Sequence, residues 1–216
     1  ELFEDSYYKQ EFSKIKKLKN KYLGKRCFII GNGPSINKMD LDLMKNDIVF
    51  CSNSFFLKFD KIKFIPNFIT VEDHLVVEDN FKEFNKLKNI IKIYPIDLIE
   101  NLEHGKDTYF IQLRRALNNK KNDGNFKFNN NNNEVFYWGG TVLYMNLQLA
   151  SYMGFSSVYL LGVDLKYTIP DDVEITGTII KSKSNDPNHF DPEYFGKGKR
   201  WHVRSRSKGN GREGLL

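Results

Sequence analysis

The stretch Cys27-Phe28-Ile29-Ile30-Gly31-Asn32-Gly33-Pro34-Ser35 decides the fold class of this chain. Its first four residues form an uninterrupted apolar run, which predicts a buried β-strand. Gly31 and Gly33 allow a sharp turn and a close approach of a ligand to the backbone, and Pro34 suits the first turn of a helix. A strand, a glycine turn and a helix start would expose backbone N–H groups to a phosphate or another anion. The stretch is equally explained by a strand-to-helix turn that binds nothing.

Neither of two common phosphate-binding motifs is complete in this stretch. Ile36 stands where the dinucleotide motif G-x-G-x-x-G requires its third glycine. The Gly-Lys-Ser/Thr end of a P-loop is absent as well. The function must therefore be inferred from the rest of the chain.

The pattern of strand followed by helix recurs along the sequence. Mostly apolar runs predict further strands over 47–51, 68–71, 90–94 and 157–161. Apolar residues at helical spacing predict a helix over 7–23 that ends at Gly24, and a second that begins at its N-cap Thr141 and ends at Gly154. Unalternating apolar strands are typical of parallel strands covered on both faces. The chain is therefore expected to be α/β, with a Rossmann-like, doubly wound, mainly parallel sheet and a C-terminal lid segment.

Four segments are expected from these patterns. They are an N-terminal helix over 1–24, a Rossmann-like nucleotide-binding domain over 25–170, a polar lid or loop over 171–203, and a tail over 204–216. The tail is rich in Arg, Ser and Gly without periodicity, which favours a disordered or non-native end. Residues 118–133, rich in Asn and Lys, are expected to form a mobile surface loop.

Size and hydropathy limit the classes of protein to consider. The chain has 216 residues, of which 40% are hydrophobic and 28% charged, as expected of one α/β domain with a real core. No apolar stretch approaches the roughly 20 residues that span a bilayer. No secretory signal is visible, although the chain begins at Glu1 and an N-terminal piece could be missing. A cytoplasmic location is expected, with the inner face of the membrane as the alternative.

Charge and cysteine usage narrow the choice of partners. The formal net charge is +6, and the excess is concentrated in 14–26 and 197–212. Such runs usually form solvated faces, and a positive rim suits an anionic substrate or a glycolipid at a membrane surface. Nucleic-acid binding is not expected.

Cys27 and Cys51 flank or belong to apolar strands and are expected to be small core residues of a reduced intracellular protein. No metal site is predicted, since there is no CxxC pair and the histidines are scattered.

Glycines and polar residues follow several predicted strands, at the edge where open parallel sheets bind ligands. The helix that starts near Thr141 would direct its N–H groups and the positive end of its dipole to the same edge. Each residue alone is better explained by an ordinary turn, but the set predicts a nucleotide site. The candidate substrate-binding residues are Gly31, Asn32, Gly33, Ser35, Asn53, Ser54, Glu72, Asp73, Gly139, Gly140, Thr141, Gly162 and Asp164.

Three strings of the chain, 30–35, 51–55 and 159–164, are similar to bacterial lipooligosaccharide sialyltransferases of the Rossmann-like type. The same strings resemble the broader family that includes the archaeal hydroxymethylpterin pyrophosphokinase. The stretch 189–202 looks more like that second family. The resemblance covers about residues 26–202, and the strings in this order are more specific than the glycine turn alone.

The resemblance to the sialyltransferases implies roles for particular residues. Asn32 and Asn53 would contact the phosphate and sugar of the donor, the helix start at 139–141 the nucleotide, and Gly162 the nucleotide pocket. Lys166 stands at the position of the first of two tyrosines that stabilise the leaving phosphate in that family, with Tyr167 beside it, and a lysine could do so by its charge. The second of these tyrosines has no clear counterpart in this chain.

A histidine of the lid acts as general base in the sialyltransferases, and His189 and His202 are the candidates in this chain. Either residue could equally serve only to hold the lid together by hydrogen bonds. His74 and His104 are interpreted as surface residues.

Three functions remain open at this point. The first is a glycosyltransferase without a metal cofactor, which transfers a sugar from a nucleotide-sugar donor like CMP-sialic acid to a surface glycan or glycolipid acceptor. The second is an ATP-dependent pterin pyrophosphokinase, for which Glu72, Asp73 and Asp164 could hold Mg²⁺. The third is a nucleotide-binding module without catalytic activity. The sequence does not indicate the oligomeric state.

Overall fold

A computed structural model describes residues 6–115, 127–129, 134–166, 168 and 172–202. Seven strands in these residues form one sheet in which every neighbouring pair is parallel. The strands are β1 (Arg26–Ile30), β2 (Ile48–Ser52), β3 (Phe68–Thr70), β4 (Ile91–Pro95), β5 (Thr108–Arg114), β6 (Val135–Tyr137) and β7 (Ser157–Leu161). Their order in the sheet is β6-β5-β4-β3-β2-β1-β7.

Apolar layers cover both faces of the sheet. One face packs against the α-helix α2 (His74–Lys86), against short 3₁₀ helices, and against residues 190–195. The other face packs against the 3₁₀ helix Lys14–Leu18, which follows α1 (Ser6–Ser13), and against α3 (Val142–Tyr152). A parallel sheet with a covered layer on each side is the expected doubly wound, Rossmann-like α/β fold, which is thereby confirmed.

We use the name lid segment for residues 172–202. This segment contains regular structure that the sequence interpretation missed. A small antiparallel sheet is formed by β8 (Val173–Thr176), β9 (Ile179–Ser182) and β10 (Arg200–His202). The prediction of a polar loop was therefore wrong for these residues. Each strand has only three or four residues and finds its hydrogen-bond partners elsewhere in the segment, so the local pattern is weak.

Two predicted helices differ in the structure. The α-helix expected over 7–23 ends at Ser13 and continues as the 3₁₀ helix Lys14–Leu18. A 3₁₀ turn places residues three apart on one line, which buries Ile15 and Leu18 together. The helix expected after the glycine turn is a single 3₁₀ helix, Pro34–Lys38.

Other local predictions are confirmed. Thr141 is the N-cap of α3, with its hydroxyl accepting a hydrogen bond from the N–H of Leu143, and Gly154 follows the helix with φ +85°. Both cysteines are buried and unpaired, and burial raises the pKa of the Cys27 thiol to about 12. The tail over 204–216 and most of the loop expected over 118–133 lie outside the described residues. No helix in the described part of the chain is both long and apolar enough to cross a bilayer.

The strand order creates one break in direction. From β1 the chain adds β2 to β6 on one side, and it then returns through α3 to place β7 on the other side of β1. The connections of the neighbouring strands β1 and β7 therefore lead away from each other at the carboxyl ends of these strands. In open α/β sheets this switch point is where ligands bind.

Candidate functional site

A cleft of about 220 Å³ lies at the switch point between β1 and β7. Residues that follow β1, β2 and β7 line it together with the start of α3 and part of the lid segment. The predicted site residues in its lining are Gly31, Asn32, Gly33, Asn53, Thr141, Gly162, Asp164, Lys166 and His189. The expected convergence of distant loops at one rim of the sheet is thus present.

The glycine turn after β1 does not offer the expected row of N–H groups to an anion. The Gly31 N–H donates to the Leu161 carbonyl at 2.7 Å, and the Gly33 N–H donates to the Gly162 carbonyl at 2.9 Å. The Ser35 N–H donates to the Asp164 carboxylate at 2.8 Å. Because β7 continues to pair alongside the turn, these donors are used within the protein. Of the two interpretations of this turn, a phosphate cradle and a strand-to-helix turn that binds nothing, these hydrogen bonds favour the second.

The glycines of this turn are required by close packing between the two strand ends. A Cβ on Gly31 would lie 2.4 Å from the Gly162 carbonyl oxygen, and one on Gly33 would lie 2.3 Å from an Asp164 carboxylate oxygen. Such distances are well inside van der Waals contact. The turn thus brings the Asp164 carboxylate to the edge of the cleft.

Asn32 and Asn53 each place an amide oxygen in a buried position at the cleft. The Asn32 Nδ2 donates to the Ser52 hydroxyl at 3.1 Å, but its Oδ1 has no hydrogen-bond partner among the described residues, nor does the Oδ1 of Asn53. Asn53 has φ +52°, an uncommon backbone conformation that is enriched in asparagine and at functional sites. A buried unpaired acceptor costs about 1–3 kcal/mol. A ligand that brings hydroxyl or N–H donors would recover this cost at both positions.

His189 is held rigidly by neighbours within the lid segment. Its Nδ1 lies 2.6 Å from a carboxylate oxygen of Asp186, whose side chain is only 3% exposed. That carboxylate also accepts hydrogen bonds from the backbone N–H groups of Asn188 and Phe195. The His189 ring stacks on Tyr194, with ring centroids 4.0 Å apart and planes 7° from parallel. A carboxylate on Nδ1 fixes the orientation of the ring and assigns proton transfer to Nε2.

Tyr194 links this histidine to the end of β2. Burial raises the pKa of Tyr194, although hydrogen bonds from the Asn53 side chain and the Ser54 backbone act in the opposite direction. The phenol is therefore neutral at physiological pH and serves as a buried support. Asn53 and His189, which lie far apart in sequence, contact this same ring.

The start of α3 and Lys166 supply positive potential to the cleft. Thr141, Val142 and Leu143 line it at the N-terminal end of the helix, where the dipole favours an anion. The exposed Lys166 adds a full charge to the same lining. An anionic group thus has favourable surroundings near α3 rather than at the glycine turn, where the Asp164 carboxylate lies.

Four predicted residues after β1, β2 and β3 lie outside the lining. Ser35 is bound through its N–H to Asp164, and Ser54 is buried. Glu72 is buried, and its backbone carbonyl accepts a hydrogen bond from Arg115 at 2.6 Å. Asp73 is the N-cap of α2 and accepts from the N–H of Leu75 at 2.8 Å.

The remaining predicted residues are placed as follows. Gly139 packs against the Tyr144 ring, where a Cβ would lie 2.1 Å from Cδ1, and Gly140 turns the chain into α3 with φ +86°. His202 ends β10 and lies beside His74, with ring centroids 5.1 Å apart, so it is not in the lining of the cleft. Tyr167 lies outside the described residues.

Sequence reasoning missed several residues that complete this site. Asp186 precedes His189 by three positions, a spacing that could have suggested an orienting carboxylate. Tyr194 carries no such signal, because its relation to Asn53 exists only in the folded chain. Asn188 lines the cleft as well.

The structure of the MAf glycosyltransferase from Magnetospirillum magneticum AMB-1 is similar with a TM-score of 0.45 and 15% sequence identity, over 79% of this chain and 29% of that chain. The present chain thus spans less than a third of that protein. Comparison with curated proteins gave no match. A family model described as 6-hydroxymethylpterin diphosphokinase MptE-like matches residues 2–170. The chain therefore belongs to the MptE-like family, as its resemblance to the pterin pyrophosphokinase group predicted.

Proposed function

We propose that this protein is a transferase that binds a nucleotide-linked donor in the switch-point cleft and uses His189 as the general base. The observation that carries the proposal is that His189, held by the buried carboxylate of Asp186, lines the same cleft as Asn32 and Asn53. A histidine held by a carboxylate is suited to take the proton of an acceptor hydroxyl. The unpaired asparagine oxygens suit the hydroxyl and N–H groups of a sugar or a base.

The favoured reaction is glycosyl transfer from a nucleotide sugar, with a CMP-sialic acid-like donor as the first candidate. The acceptor hydroxyl loses its proton to His189 while its oxygen bonds to the anomeric carbon. The bond from that carbon to the phosphate oxygen breaks, and the nucleotide leaves with the electron pair. Lys166 and the N-terminus of α3 would stabilise the charge that develops on the phosphate.

A glycan or glycolipid at a membrane surface is the proposed acceptor. Exposed lysines between residues 14 and 25, including Lys16, Lys17 and Lys19, give that part of the chain a positive surface. Such a surface favours contact with anionic glycolipids or lipid headgroups. This part of the proposal predicts weaker association at high ionic strength.

Diphosphoryl transfer from ATP to a pterin is the second candidate, and membership of the MptE-like family favours it. In that reaction the acceptor hydroxyl attacks the β-phosphorus and AMP leaves. Mg²⁺ would be expected to bridge the phosphates and at least one carboxylate. Asp164 is the one carboxylate among the described lining residues, and it already accepts the Ser35 N–H. This donor set is sparse for a metal–triphosphate complex, so glycosyl transfer remains the first candidate.

Binding and turnover measurements separate the candidates. Thermal shifts with CMP, UDP, GDP, ATP and CMP-sialic acid identify the nucleotide, because a ligand of the folded state raises the melting temperature. In the transfer assay with the winning donor, we expect His189→Ala to lower kcat by about 10²–10⁴-fold. Its nucleotide affinity should change by less than about threefold, since the base acts on the acceptor.

The control for this experiment is His104→Ala, because His104 lies outside the lining of the cleft. Full activity of His189→Ala would overturn the mechanism. Transfer activity that depends on ATP and is abolished by EDTA would favour the diphosphokinase. Tight nucleotide binding without turnover of any acceptor would favour a binding module.

A further inference from the structure

A second group of chemically active side chains lies one strand farther along the same edge of the sheet. Asp73 follows β3, His74 is the first residue of α2, and His202 is the last residue of β10. One ligand atom from each residue lies within 4.8 Å of the other two. The distance from Asp73 Oδ1 to His74 Nδ1 is 4.0 Å. Two histidines and a carboxylate from two separate segments of the chain thus meet at one point.

This set of side chains has the chemistry of a transition-metal site. Imidazole nitrogen and carboxylate oxygen together suit Zn²⁺ and related divalent ions, whereas Mg²⁺ and Ca²⁺ prefer oxygen alone. Zinc bonds to these atoms are about 2.0–2.2 Å long. The three ligand atoms need to approach one another slightly to reach that geometry. His74, with its side chain 54% exposed, has the space to rotate.

Neighbouring groups orient two of the three ligands. The Leu75 N–H donates to Asp73 Oδ1 at 2.8 Å, which fixes the carboxylate. The Thr178 hydroxyl lies 3.4 Å from His202 Nδ1, which restrains the orientation of that ring. Hydrogen bonds of this kind to the far side of a metal ligand are general in metalloproteins.

Ion pairs bring β10 to α2 independently of any metal. Arg200 donates to the Asp79 carboxylate at 2.6 Å and to Glu78 at 3.0 Å, and Lys199 donates to Asn80 at 2.6 Å. These contacts hold His202 next to the start of α2. They also neutralise the positive charge of Arg200, which would otherwise oppose a cation nearby.

We propose that Asp73, His74 and His202 bind one divalent transition-metal ion, with Zn²⁺ as the representative. The ion would join the end of the lid segment to the start of α2. Since the lid segment carries Asp186 and His189, the metal would fix the lid on the sheet without taking part in the transfer reaction. No metal site is expected from the sequence, because there is no CxxC pair and His74 and His202 are far apart in the chain.

The test is direct measurement of Zn²⁺ binding to the full chain by titration calorimetry and by metal analysis after dialysis. We expect about one Zn²⁺ per chain and a higher melting temperature in its presence. Each of His74→Ala and His202→Ala should weaken binding at least tenfold, since loss of even a partner of a ligand costs about 10–100-fold. Asp73→Asn keeps an oxygen to cap α2 and should also weaken binding.

Matched controls separate this site from other histidines and from the proposed reaction. His104→Ala, at a histidine bonded to the Ile99 carbonyl and remote from the cluster, should bind Zn²⁺ like the parent chain. His189→Ala should do so as well, whatever its effect on turnover. The exposed His74 allows the test even if His202→Ala fails to fold. Absence of stoichiometric uptake, or equal uptake by the His74→Ala variant, would overturn the proposal.

Discussion

At the residue scale, the cleft depends on positions where no side chain fits. Gly31 lies between the ends of β1 and β7, and its own N–H is bonded to the Leu161 carbonyl. The nearest atoms to a Cβ at this position belong to the backbone of Gly162, which cannot move without separating the two strands. The requirement for glycine here is therefore steric and follows from strand pairing.

Gly31→Ala should lower the free energy of unfolding by at least about 1–3 kcal/mol, since the added carbon overpacks a rigid contact. Chemical denaturation of the variant and the parent chain gives this value. Gly105→Ala is the matched control, because nothing lies within 4 Å of a Cβ there. That variant should be unchanged or up to about 1 kcal/mol more stable, as its unfolded state loses freedom. Equal stability of the two variants would show that the strand ends adjust easily.

The sequence was informative about which residues lie at the site and less so about what they do there. Asn32, Asn53, Gly162 and Asp164 all line the cleft, as expected from their places after apolar strands. The interpretation of the glycine turn as a phosphate cradle is not supported, because its N–H groups donate hydrogen bonds to carbonyls at the end of β7. That pairing depends on the order of strands in the sheet, which the residues around Gly31 do not encode.

At the element scale, α3 is joined to the sheet by a buried polar contact. The Thr70 hydroxyl of β3 donates to Asn146 Oδ1 of α3 at 2.7 Å, and both side chains are fully buried. The Nδ2 of Asn146 has no partner among the described residues. The bond from Thr70 is therefore the hydrogen bond that stabilises this buried amide. The pair restrains α3 against the sheet, and the N-terminus of this helix lines the cleft.

Thr70→Val should lower the free energy of unfolding by about 1–3 kcal/mol, because it leaves a buried amide without its hydroxyl partner. Thr70→Ser, which keeps the hydroxyl, should lose less. Thermal or denaturant unfolding compares the three proteins. If valine proves as stable as serine, the hydroxyl contributes nothing to the attachment of α3.

Elements were predictable where the local pattern was strong. Strand β7 occurs with the predicted bounds, β1 and β3 differ from prediction by one residue at one end, and β2 and β4 are shifted by one residue at both ends. Strands β5 and β6 and helix α2 were not predicted. Strand β5 includes the polar residues Thr108 and Gln112, which weaken its apolar pattern. Strand β6 has only three residues. The formation of both strands therefore depends on their neighbours in the sheet.

At the scale of the whole molecule, the lid segment is attached to the sheet layer by charged groups as well as by apolar packing. Lys61, at the end of the 3₁₀ helix Asn53–Lys61, donates to the Asp191 carboxylate at 3.0 Å. Phe190 packs against Phe55 in the core, and its N–H donates to the Asn32 carbonyl. The position of His189 relative to the cleft therefore depends on contacts on both sides of Phe190.

The Asp191 carboxyl makes this attachment sensitive to acid. Burial alone would raise its pKa, but the Glu193 N–H and the Lys61 ammonium outweigh burial and lower it. A group whose pKa is lowered on folding stabilises the protein above its unfolded-state pKa, about 4, and loses this effect as pH falls through the folded-state value. Stability should therefore decrease below about pH 4, and Asp191→Asn should remove part of that decrease. Unfolding measured from pH 7 to pH 3 tests this, with Asp60→Asn, at an exposed carboxylate, as the control. An Asp191→Asn curve parallel to the parent curve would mean that this ion pair does not hold the lid.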